Sequence, residues 1–233
     1  MKTKVTKFAE RHNTGPPSRL GQRFSRTKFL PEAGNTIVCH LAKEDPDHIR
    51  VLDARRAMMA LPGAGQFLMT PEDSLHMTVS EGVIETRRTS DGWPPDLERT
   101  APIDDVTAMY LERLTNFAPP KGFKVRVTGI YPMGLILEGA TDADKSALNE
   151  WRARLAELLG FRHKEHDAYT HHMTFGYATS WLTDAEVEAW EVGLRSILEG
   201  LIKAGGAVPL DRPAFCTFSD MTRFEEKLIL SAR

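Results

Sequence analysis

No apolar stretch in this 233-residue chain approaches the roughly 18 residues a membrane-spanning helix needs. The basic opening MKTKVTKFAERHNTGPPSRL lacks the apolar core of a secretory leader, so a cytoplasmic protein is expected. Cysteine is scarce: Cys39 and Cys216 each sit in an apolar, strand-like run, where buried thiols are expected rather than a bridge. Charge of one sign is scarce too. A net charge of −2 excludes a whole-molecule clamp for long duplex nucleic acid. What is present is ordinary for a folded protein, with 41% hydrophobic and 27% charged residues.

The charge is unevenly placed. Residues 1–30 hold Lys2, Lys4, Lys7, Arg11, Arg19, Arg23, Arg26 and Lys28 against Glu10 alone, a surplus of seven cations. Residues 1–34 are therefore expected to form a solvated basic arm, with contact to phosphate or RNA as the alternative. The remainder, 35–233, reads as one domain. Thr36–Leu41 is expected to be a buried strand, and a helix should span Asp47–Leu61 with Ile49, Leu52 and Met59 on its apolar side. Strands are expected at 66–69 and 74–80, a loop at 85–102, a helix at 103–117 and a strand at 123–130. The order then repeats: a strand at 135–137, a helix capped by Thr141 and Asp144 and closed by Gly160, and a strand at 172–177. A helix capped by Thr183 and Glu186 and two strands, 215–218 and 227–230, complete the chain. The expected class is α+β, built as two pseudo-symmetric lobes over about 35–131 and 132–230. Each lobe is a mostly antiparallel sheet with helices on its outer face, and the active-site cleft lies between the sheets.

Two segments carry the chemistry: Leu75-His76-Met77-Thr78-Val79 and His171-His172-Met173-Thr174-Phe175. Side chains alternate across a strand, so apolar 75, 77 and 79 can face the core while His76 and Thr78 project together. The same reasoning sends His172 and Thr174 outward and leaves His171 a structural place. His-x-Thr alone is a weak signal, since His12-Asn13-Thr14 matches it within a turn. Apolar neighbours and equivalent placement in both halves make the pair specific.

Paired His-x-Thr motifs of this kind resemble those of the 2H phosphoesterase superfamily, which includes cyclic nucleotide phosphodiesterases and 2′-5′ RNA ligase-like proteins. The segment Gly34–Leu41 is similar to the opening strand of a bacterial and fungal branch of unknown activity. Where such proteins often have proline before the second histidine, this chain has Tyr169-Thr170-His171-His172. The resemblance implies a cyclic phosphodiesterase with His76 and His172 as catalytic acid and base, needing no metal or other cofactor. Substrate contacts are expected from Thr78, Thr174, Tyr169 and Arg87. A small cyclic nucleotide or the 2′,3′-cyclic phosphate end of an RNA is the implied partner, without a membrane. Arg88, Trp93 and Tyr177 are lesser candidates for the pocket wall. Two other functions fit the sequence. The pocket could bind a nucleotide or RNA end without turnover, or His163, His166, His171 and His172, with Glu165 and Asp167, could hold a metal for hydrolysis. Oligomeric state, physiological substrate and the division of acid and base roles are not encoded in any visible pattern.

Overall fold

The apolar run beginning at Asn35 is too short for a helix and becomes β1 (Gly34–His40), six of whose seven residues are buried. The computed structural model describes residues 4–163 and 166–231, so Lys2 and Glu165 lie outside the described residues. After β1 come α1 (His48–Met59), β2 (Phe67–Met69), β3 (His76–Ile84) and α2 (Ile103–Thr115). The second half supplies β4 (Val125–Tyr131), β5 (Gly134–Gly139), α3 (Asp142–Leu159), β6 (His172–Thr174) and β7 (Gly176–Ala178). The chain ends with α4 (Asp184–Lys203), β8 (Ala207–Val208), β9 (Ala214–Phe218) and β10 (Glu225–Ile229).

The fold is α+β. Eight strands make one antiparallel sheet in the order β10-β9-β1-β3-β6-β5-β4-β8, and β2 pairs with β7 in a small second sheet. Helix α3 packs on β3 and β5, while α4 packs on β4 and α1. Both α3 and α4 start where the sequence places capping boxes: Thr141 with Asp144, and Thr183 with Glu186. Gly160 closes α3 at φ +65°, a left-handed position that glycine adopts without Cβ strain.

Five sequence expectations about the fold need correction. The two halves do not form separate sheets facing a gap, because β3 and β6 hydrogen-bond edge to edge through the pair Met77 and Met173. Nor does the sheet divide at residue 131. β4 lies on the β6 side, and the C-terminal pair β9–β10 returns to lie beside β1. The expected strand 172–177 breaks at Phe175, whose N–H goes to the Met133 carbonyl and whose carbonyl accepts from Thr70 N–H. Its two pieces therefore enter different sheets. On α1, Ile49 and Met59 are each 45% exposed, and the packed face is Val51, Ala54, Arg55 and Met58. Arg55 can be buried there because its guanidinium donates to the Thr70 carbonyl at 2.6 Å.

The basic segment is no solvated arm. Val5, Ala9 and Phe24 are buried in it, and Glu10 N–H bonds to the Leu182 carbonyl. Apolar anchors spaced among the cations dock it on the domain. Both cysteines are buried and unbridged, and burial raises each thiol's pKa, leaving them protonated and unreactive.

Candidate active site

Met77 and Met173 are fully buried, so their chain neighbours His76, Thr78, His172 and Thr174 stand on the opposite face of the sheet. An antiparallel pair centred on these methionines sets His76 across from Thr174 and Thr78 across from His172. Each imidazole thus neighbours the other motif's hydroxyl. The two histidines are diagonal neighbours, about 7–8 Å apart at the backbone. All four side chains line one cleft of about 280 Å³.

The two histidines are held alike. His76 Nδ1 lies 2.6 Å from the Ser74 carbonyl oxygen, and His172 Nδ1 lies 2.9 Å from the Thr170 carbonyl oxygen. A carbonyl only accepts, so each Nδ1 carries its proton, and Nε2 is the nitrogen left with a lone pair in the neutral ring. Burial lowers the His76 pKa to about 4. The Ser74 contact opposes that shift, and the nearby rings of His40 and His172 add to it. His76 is therefore neutral at pH 7.

Both threonines are braced by phenols. Tyr169 lies beside Thr78, and Tyr131, the last residue of β4, lies beside Thr174, each threonine opposing the burial-driven rise in its neighbour's phenol pKa. Burial pushes the Tyr131 phenol up to about 12 and raises Tyr169 as well, so both keep their protons at neutral pH. The Tyr169 ring is clamped by Arg152, whose guanidinium sits 4.2 Å from the ring centroid and donates to the Val79 carbonyl at 2.7 Å.

A one-residue slip between β1 and β3 shapes the rest of the wall. The register passes from Ile37 opposite Ser80 to Val38 opposite Thr78, leaving Val79 as the extra residue. This re-phases the strand, and Glu81, which strict alternation would send into the core, lines the cleft with His76 and Thr78. Its carboxylate lies 3.1 Å from His163 Nδ1 and 3.6 Å from Arg87.

Of the residues singled out by sequence, His76, His172, Thr78, Thr174, Tyr169, Arg87 and Tyr177 all line this cleft. The Arg87 guanidinium is engaged by the Gly82 carbonyl, by His163 and by Glu81. Arg88 and Trp93 are elsewhere. Trp93 is 2% exposed, donates to the Glu98 carbonyl and carries the Arg88 guanidinium on its ring, so it anchors its own loop. The histidine cluster does not converge. His163 faces Glu81 and Arg87, His171 Nδ1 faces the Thr78 carbonyl at 3.2 Å, and His172 faces Thr170. Among the described residues no three His, Cys, Asp or Glu side chains come together in a way that could hold a metal ion. Nor, among them, is any helix long and apolar enough to cross a membrane.

Sequence reasoning missed Tyr131, Arg152 and Glu81, and placed Arg19 and Arg23 only in a basic arm with phosphate contact as its alternative; all but Arg152 line either this cleft or the groove beside His172. Tyr131 ends an alternating strand and had a readable signal. The other four depend on a bulge or on contacts between distant segments.

A family model described as 2H-phosphodiest, a domain of unknown function (DUF1868), matches residues 23–136, which include the first motif and end before the second. No curated protein matches the chain. A crystal structure of the conserved protein of unknown function ATU0111 from Agrobacterium tumefaciens str. C58 superposes with a TM-score of 0.96. It is 38% identical, and the match covers 99% of this chain and 100% of that one. With a His-x-Thr strand from each half in one cleft, and with these matches, the chain belongs to the 2H phosphoesterase family.

Proposed function

We propose that the protein hydrolyses a cyclic phosphodiester, with His76 as general base and His172 as general acid. The observation that carries this reading is the crosswise register at Met77 and Met173, which sets two imidazoles and two hydroxyls on the wall of one cleft. The substrate class is a 2′,3′-cyclic nucleotide or the 2′,3′-cyclic end of an RNA.

Each side chain has a task that its surroundings support. His76 is neutral, so its Nε2 can take a proton from water as the water oxygen bonds to phosphorus. The negative charge of a bound phosphate favours the protonated ring, opposing the effect of burial and strengthening the base. On the other side, His172 Nε2–H gives its proton to the ribose oxygen as that oxygen leaves phosphorus, and a phosphomonoester results. The Tyr169 and Tyr131 phenols can donate to Thr78 and Thr174, freeing each threonine O–H to donate to a non-bridging phosphate oxygen. Proton transfer of this kind typically supplies about 10²–10⁴-fold for each positioned group. Both transfers fall to imidazoles, so the reaction needs no metal ion.

Phosphorus NMR of a panel of 2′,3′-cyclic nucleotides, incubated with the protein and an excess of chelator, tests the proposal. Conversion of the cyclic ester to a single 2′- or 3′-phosphomonoester is expected. Binding without conversion would favour a purely recognising pocket, and conversion abolished by the chelator would overturn the metal-free mechanism.

A further inference from the structure

The far wall of the cleft is made by the N-terminal segment, and its design exceeds what a lone cyclic phosphate requires. Arg19 and Arg23 line the same cleft as the two histidines. Both are braced on Glu32, which is 1% exposed, with Arg23 Nε at 2.5 Å and Arg19 at 3.4 Å. The Thr86 hydroxyl donates to the same carboxylate at 2.6 Å. One buried anion thus fixes two guanidinium groups and leaves the wall with a surplus positive charge. Arg23 also lies close enough to Tyr177 for its charge to oppose the burial-driven rise in that phenol's pKa. Among the described residues Arg19 spends one N–H on protein, so its remaining donors face solvent and the cleft. Its backbone holds φ +70°, a left-handed conformation that a non-glycine residue keeps only where its surroundings enforce it.

Position completes the case. Tyr177 lies three residues after Thr174, so their backbones are at most about 11 Å apart. Arg19, Arg23, Tyr177 and Thr174 line one cleft, so an anion held by Arg23 shares that cavity with a phosphate held by Thr174. Glu81, the cleft's own carboxylate, is offset by Arg87 and does not cancel the Arg19 and Arg23 charge.

We infer that Arg19 and Arg23, braced on Glu32, form a second anion subsite, and that the substrate is a cyclic phosphodiester bearing a further phosphate group. This rests on the phosphoesterase reading of the cleft. Guanidinium forks suit that role, since they meet phosphate oxygens in pairs.

Calorimetry tests the inference on a His76→Ala background, where affinity can be read without turnover. The probes are adenosine 2′,3′-cyclic phosphate and the same compound carrying a 5′-phosphate. The 5′-phosphorylated compound is expected to bind at least about tenfold tighter, the worth of one charge-assisted contact. Adding Arg19→Met should erase most of that advantage. Arg19 is the safer position because its side chain is 35% exposed, whereas Arg23→Met would strand the buried carboxylate. Equal affinity for the two compounds, or an advantage untouched by Arg19→Met, would overturn the subsite. Turnover of the same pair by the wild-type protein reports separately on the chemistry. Phosphate-dependent binding without hydrolysis would leave the subsite standing and sink the phosphoesterase reading.

Discussion

Met77 and Met173 face each other across β3 and β6, and this register pair sets all four motif side chains on one face of the sheet. A slip of one residue in either strand would turn a histidine and its threonine toward the core. The buried methionines therefore fix which face of the sheet their chain neighbours occupy.

Gly134 guards that register. It pairs with Thr174 at φ +149°, and a Cβ built there would lie 2.0 Å from the Met173 carbonyl oxygen. Gly134→Ala should push β5 away from β6, costing roughly 2 kcal/mol or more in a urea titration. Activity should fall with it, since Thr174 moves. An unchanged midpoint would contradict the tight approach of Gly134 to β6.

The paired phenols make a separate prediction. Tyr131→Phe removes the hydroxyl that meets Thr174 while keeping the ring. kcat/KM should drop about tenfold with little change in Tm, the effect of losing one hydrogen bond used at the phosphate. Tyr169→Phe should behave alike through Thr78. Full activity in both variants would show that the threonines need no bracing.

Acid should weaken the fold by a definite route. Burial lowers both His76 and His171 to about 4, below their ordinary value near 6.5. Between those values the unfolded chain binds protons that the folded one refuses, so stability is full above pH 6.5 and is lost as pH falls toward 4. From pH 7 to pH 5 each histidine should cost on the order of 1–2 kcal/mol. His171→Asn, which keeps a side-chain donor near the Nδ1 position facing Thr78, should flatten the pH dependence of the urea midpoint. An equally steep dependence in that variant would remove His171 as a cause.

Local chemistry made part of this legible beforehand. The capping boxes at Thr141 and Thr183, the stop at Gly160 and the outward alternation at 76–78 and 172–174 depend only on near neighbours in the chain. Contacts between distant segments were not legible. The α1 face was misplaced because the Thr70 carbonyl makes Arg55 a buried residue while Ile49 stays in solvent. The N-terminal segment was misjudged because its cations outweigh, in composition, the few apolar anchors that dock it. Glu81 reaches the cleft through a bulge at Val79, and a bulge leaves no mark in an alternating pattern. The pairing of the two motifs could be expected, whereas their crosswise seating needed the register.

Paired-imidazole catalysis is tested most directly by single-turnover hydrolysis of a 2′,3′-cyclic nucleotide, with chelator present, by wild type, His76→Gln and His172→Gln. Each variant should lose about 10²–10⁴-fold in rate while keeping the wild-type Tm at pH 7, and the wild-type rate should trace a bell against pH. Near-wild-type turnover in either folded variant would contradict the central claim that both rings act on one phosphorus.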